Sequence, residues 1–177
     1  MKHLSSLSLV LALVFSACSS TSHLEEGEVL YTGIKELTYT NPMLLDTLAK
    51  VSASTHLVDV QEEVEAALAY APNGAILGSP YYRTPFQFRL WIYNHYANSQ
   101  SKFGTWMRNS FGHEPVLMSS VNPEMRALVA RNILRSNGYF DAKVVSEELP
   151  QKNPKKAKLR YQLTPGLLYT IDTVSYV

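Results

Sequence analysis

NPEMRALVARNILRSNGYFDAKVVSEELPQKNPKKAKLRYQLTPG, the stretch from Asn122 to Gly166, is where helix, turn and strand signals follow one another without competition. Asn122 offers a side-chain acceptor to a helix N-terminus, Pro123 fits a first turn that needs no N–H, and Glu124 sets negative charge against the positive end of the dipole. A helix is therefore expected over Asn122 to Asn137. Met125, Leu128, Val129 and Ile133 recur at three- and four-residue spacing and predict its packed face, with Arg126, Arg131 and Arg135 on solvated faces. Gly138, behind Asn137, provides the left-handed stop. AKVVSEEL (Ala142 to Leu149) and AKLRYQL (Ala157 to Leu163) then read as two strands. The Pro- and Lys-rich turn from Pro150 to Lys156 separates them, because it cannot continue either ladder.

Upstream, VLYTGIKELTYT (Val29 to Thr40) is rich in Tyr, Thr and branched residues, as a first strand would be, with Gly33 placed for a bulge. Asn41-Pro42 repeats the cap-then-proline signal, and Met43, Leu44, Leu45 and Leu48 suggest one or two helical turns before Ser52 to Thr55 interrupt them. Asp59 and Glu62 form a capping-box-like pair at the start of VQEEVEAALAYA. Val60, Val64, Ala67, Leu68 and Ala71 share a face of that helix, which Pro72-Asn73-Gly74 closes. Its carboxylates, Glu62, Glu63 and Glu65, chiefly complement the dipole rather than form a metal or acid–base site. These elements predict an α+β domain.

Between the two helices, Ala75 to Val121 changes character: Tyr81, Tyr82, Phe86, Phe88, Trp91, Tyr93, Tyr96, Phe103, Trp106 and Phe111 alternate with Arg83, Arg89, Lys102 and Arg108. One reading is an aromatic and basic surface for a peptide or single-stranded nucleic acid, with Trp91, Tyr93 and Trp106 as partner anchors. The other is an insertion whose rings form a satellite core over the sheet. The second is favoured, because an insertion this long must bury its own rings to be ordered. Downstream, Leu168-Tyr169-Thr170, Ile171, Val174 and Tyr176 repeat Leu30-Tyr31-Thr32, Ile34, Leu37 and Tyr39 once Gly33 is treated as an extra residue. Residues 167–177 are thus expected to begin a second unit that continues past Val177, since a lone edge strand is an aggregation liability.

With 177 residues, 46% of them hydrophobic, the chain can build one domain with a genuine core. Its formal charge of +1 gives no field strong enough to argue for nucleic acid or an anionic membrane surface as partner. Lys2 and His3, the apolar run from Leu4 to Phe15 and the small pair Ser16-Ala17 make residues 1–17 an export signal. Export also removes nucleic acid as a partner. The signal ends at Cys18, the sole cysteine, so neither a disulfide framework nor a thiolate metal site can form within one chain. Phe15-Ser16-Ala17-Cys18 resembles a bacterial lipobox, with Phe15 where that pattern usually has Leu, which makes Cys18 the expected site of a covalent lipid. Residues 18–28 then read as a mobile tether. There is no HExxH around His56, His95 or His113, no GxSxG elbow, no GxxxxGK[ST] loop and no GxGxxG turn, so neither enzyme nor cofactor is expected.

The helix, GYFDAKV, the hairpin and TPGLLYTIDTVSYV resemble the closing half of a POTRA (polypeptide-transport-associated) domain running into the next. Together with the N-terminus, LGSPYYRTPFQFRLWIYNHY and FGTWMRNSFGHEPVLMSSVNPE, they resemble TamL, the lipoprotein branch of the BamA/TamA outer-membrane assembly superfamily. That family carries further POTRA domains and a membrane β-barrel which this sequence does not contain. The resemblance implies a β-α-α-β-β domain over residues 29–166, with residues 75–121 inserted between the helices and a small mixed three-stranded sheet. Its later hairpin strand would lie mid-sheet and the strand after GYF on the edge. It also implies a lipid-anchored periplasmic module of the outer membrane that handles unfolded outer-membrane clients or docks on a TamB-like partner. Client capture would proceed by strand addition along Lys143, Val145, Glu147 and Leu149.

Overall fold

The computed structural model describes residues 20–40, 60–170 and 173. Its strands are β1 (Leu30–Tyr39), β2 (Lys143–Pro150) and β3 (Lys156–Thr164). Helical residues 60–68 form α1. They are followed by α2 (Phe88–His95), α3 (Lys102–Phe111), the short α4 (Met118–Val121) and α5 (Pro123–Ser136). Cys18, the export signal, the turns expected after Asn41-Pro42 and the cap at Asp59 lie outside the described residues, as does most of the expected strand after Leu167. Leu167 to Thr170 are described and are not in a strand.

The fold is α+β with a small mixed sheet in the order β1-β3-β2. β3 is central because it alone alternates cleanly for burial on one face, with Ala157, Leu159, Tyr161 and Leu163 all buried. β1 runs parallel to it and β2 antiparallel. The expected bulge is present: the β1 register shifts between Tyr31 and Ile34, around Gly33 at φ +107°. One face of the sheet joins Val60, Val64 and Leu68 of α1 and Ala127, Ala130 and Leu134 of α5 in a single apolar cluster. Each fully buried Leu there contributes about 1.5–3 kcal/mol.

α5 has the expected ends. The Asn122 side chain accepts from Met125 N at 3.2 Å, and Gly138 takes φ +90°. Asn122 itself sits at φ 48° because it also closes α4. The expected packed face is wrong. Met125, Leu128 and Val129 are exposed, whereas Ala127, Ala130 and Leu134 are buried and Ile133 is half-buried. Small side chains let the helix axis approach the core closely, so the alanine stripe packs and the bulkier residues are rotated outward.

Arg126 is likewise not solvated. Its Nε donates to Val121 O at 2.9 Å, and its Nη1 donates to Ala67 O and Ala69 O at 3.1 and 3.0 Å. The guanidinium also lies 4.7 Å from the Tyr70 ring centroid. These bonds cap the free carbonyls of α1, whose helical run stops at 68 rather than at the expected Ala71; Ala71 is exposed. The expected mobile tether is also packed where it is described. Thr21 and Leu24 are buried, and Leu24 sits with Leu30 and with Leu90 of α2 in a second apolar cluster.

Candidate functional site

The two borders of the sheet differ. Along β1 the insertion supplies the missing partners: Tyr31 N donates to Val116 O at 2.9 Å and Ile34 N to Pro80 O at 2.8 Å. Val29 O accepts from Met118 N at 2.8 Å, and Leu30 bridges Leu117. Asn73, itself buried, staples the insertion in place, accepting from Val116 N at 2.7 Å and donating to Glu114 O at 2.8 Å. Along β2, by contrast, the only strand partner among the described residues is β3. The side of β2 away from β3 is therefore a row of backbone donors and acceptors without a strand to meet them.

The register sorts the side chains of that border. Lys143, Val145, Glu147 and Leu149 stand opposite Thr164, Gln162, Arg160 and Lys158 on the outer face of the sheet. Lys143, Val145 and Glu147 are exposed, Val145 at 57%, while Leu149 is half-buried. On this face Arg160 Nη1 donates to Glu147 at 3.0 Å and Arg160 Nε to Glu36 at 3.2 Å, a charge ladder across all three strands. The hydrogen bond that Arg160 donates to Glu147, with the field of both carboxylates, raises the Arg160 pKa.

Val144, Ser146 and Glu148 lie on the opposite face, toward α5, and open onto a run of three adjoining cavities. The middle one is lined by Glu124, Ala127, Leu128, Arg131, Val144, Val145 and Ser146. Arg131 continues into a cavity with Arg135, Phe140 and Lys143, and Ser146 and Glu124 continue into one with Glu148 and Asn122. Glu124, Ala127, Leu128, Arg131 and Arg135 follow the i, i+3, i+4, i+7, i+11 pattern of one helix face. The groove is therefore basic at the Lys143 end, apolar at Leu128 and acidic at the Glu148 end. Arg131 Nε is buried there without a hydrogen-bond partner. The spacing that marks Leu128 as apolar is visible in the sequence, but the residue lines this groove instead of the core.

The insertion does not form the expected satellite core of rings. Its buried side chains are Leu90, Ile92, Asn94, Val116, Met118 and Val121, while Tyr82, Phe86, Phe88, Phe103, Trp106 and Phe111 are exposed. Trp91 and Tyr93 are half-buried, and Trp106 is 53% exposed. The rings form an unbroken chain along the α2–α3 hairpin. Trp91 stacks between Phe88 and His95 with centroids 6.0 and 5.1 Å away. His95 meets Tyr96 at 4.8 Å, Tyr96 meets Phe103 at 6.2 Å, and Trp106 lies 6.0 Å from Phe103 and 5.5 Å from Phe111. Arg108 Nη1 donates to Ala97 O at 2.8 Å and fixes the turn between the two helices.

Comparison with family models, curated proteins and solved structures finds no match to this chain. Among the described residues, no group of His, Cys, Asp or Glu is arranged to hold a metal ion, and no helix is long and apolar enough to cross a membrane.

Proposed function

We propose that this chain is a POTRA-like module of a lipid-anchored outer-membrane assembly protein, which captures unfolded client polypeptide by strand addition to β2. The observation that carries this reading is the asymmetry of the sheet: the insertion covers β1 from Leu30 to Ile34, while among the described residues β2 has one strand partner and a groove beside it. An added strand would form main-chain bonds with the border, which give affinity with little sequence preference. Its inward side chains would enter the groove over Leu128. The β-α-α-β-β order, with the insertion between α1 and α5, is compatible with the POTRA resemblance of the sequence.

The test is site-specific photocrosslinking in the full, acylated chain, with the crosslinker at Val145, at Leu128, or at Gln162 on the central strand. Crosslinks to an unfolded outer-membrane polypeptide from Val145 and Leu128, and far fewer from Gln162, are expected. Equal yields at all three positions would remove the edge from the mechanism. The exposed ring chain favours a second reading, in which the module docks on a folded periplasmic partner such as a TamB-like protein. Trp91→Ala or Trp106→Ala would then abolish complex formation, whereas strand addition predicts a minor effect.

A further inference from the structure

The charge of +1 is a sum of unlike parts. From Ala66 to His113 the sequence contains no Asp or Glu, yet it contains Arg83, Arg89, Lys102 and Arg108. Arg89 and Lys102 are exposed, on the two helices that carry the ring chain. A stretch with cations, exposed Trp, Tyr and Phe and no carboxylate matches a bilayer interface, where amphipathic rings sit at headgroup level and phosphates attract cations.

The position of the N-terminal segment points the same way. Cys18 lies three residues before Thr21, which is buried, and a link of three residues reaches at most about 11 Å when fully extended. Leu24, three residues further on, packs on Leu90 of α2. Phe88, Trp91 and His95 lie elsewhere round that same helix, within about one helix diameter of the anchored segment. A domain tethered this closely has little room to turn above the headgroups, and its anchored segment lies between α2, through Leu24, and the β2–β3 turn, where Asn153 donates to Thr21 Oγ1 and Lys155 to Leu24 O.

We infer that the α2–α3 hairpin is a membrane-docking surface, with Phe88, Trp91, Phe103 and Trp106 seated among the headgroups of an anionic bilayer and Arg89 and Lys102 paired with lipid phosphates. This inference rests on Cys18 being acylated and on nothing about client capture. It turns the domain so that the hairpin meets the membrane, and it gives the ring chain a lipid surface, not a folded protein, as its occupant.

The chain's two tryptophans both lie in the hairpin, so its tryptophan emission reports on this surface alone. The acylated chain is reconstituted into phosphatidylethanolamine/phosphatidylglycerol vesicles containing lipids brominated near the headgroup end of the acyl chain. Strong quenching with a blue shift is expected, weakened by high salt and by the Arg89→Glu/Lys102→Glu double variant while flotation persists. Each lost cation should reduce the docked population about fivefold. An acylated, floated chain with unquenched emission would overturn the inference, as would crosslinking of the rings to a second copy or to a folded partner. Mass analysis showing a mature chain without lipid on Cys18 would overturn the anchor reading and this inference together, and so separates the two failures.

Discussion

The carbonyl oxygen of Pro80 would stand 2.6 Å from a Cβ placed on Gly33, and Ile34 N donates to that same oxygen at 2.8 Å. The closure of the β1 border therefore depends on the absence of a side chain at the bulge. Gly33 also takes φ +107°, a conformation that L side chains rarely adopt. Gly33→Ala should cost about 2–3 kcal/mol in a urea titration. It should also raise self-association by uncovering β1, which light scattering would report. A variant as stable and as monomeric as the parent would show that Pro80 does not seal this edge.

On the proposed function, Ser146→Pro should weaken capture of an unfolded outer-membrane client without releasing the chain from its anchor, because Val145 and Glu147 turn their N–H groups toward β3, in register with the Gln151 N–Lys156 O bond, and leave the Ser146 N–H on the free border. Leu128→Glu offers an independent route. Leu128 is 38% exposed, so its replacement should change stability by less than about 1 kcal/mol while placing charge in the groove. Both variants should lose client crosslinks in parallel. Retention of crosslinks in both would remove β2 from the mechanism.

Arg126→Ala should cost about 2–4 kcal/mol, since three backbone carbonyls lose a charged donor and the Tyr70 ring loses its cation. Arg126→Lys should recover little, because one ammonium cannot span Val121 O and the two carbonyls of α1 together. Hydrogen exchange at residues 64–69 would show the α1 end opening first.

Tyr161 is buried with no partner for its hydroxyl among the described residues, and burial pushes its pKa up to about 12. The folded chain keeps this proton while the unfolded chain gives it up near pH 10. Stability should therefore be intact below about pH 10 and fall as pH rises toward about 12. Tyr161→Phe should flatten that decline and, by removing an unsatisfied hydroxyl, should stabilise the domain by up to about 1 kcal/mol at neutral pH. Urea titrations across the alkaline range check both.

The features that could be read from the sequence were the ones decided by local chemistry. Asn122 and Gly138 mark the ends of α5 because caps depend on a few adjacent residues, and Gly33 announced its bulge for the same reason. What the sequence did not disclose depended on distant partners. Ala127 and Ala130 took the packed face from Leu128 and Val129 because of how closely the helix approaches the core, which no spacing rule encodes. Arg126 looked like a solvated charge until the carbonyls of α1 were placed beside it. The residue types of the ring chain were plain, but their exposure was not: Leu90, Ile92, Val116 and Met118 seat the insertion, and Tyr82, Phe88, Phe103, Trp106 and Phe111 stay exposed. Arg131 and Leu128 entered the candidate site only once β2 was set next to α5.

Thr32 Oγ1 donates to Ala157 O at 2.8 Å across 125 residues, and Gln151 Nε2 donates to Thr32 Oγ1 at 2.6 Å. β1 must therefore wait during synthesis until β3 has been made before its neighbour arrives. Contacts this remote in sequence are slow to form. Until Thr164 has been made, the early strand is itself an unfinished polypeptide with an open border, so a protein of this design passes through the same exposed condition as the chains it is proposed to receive.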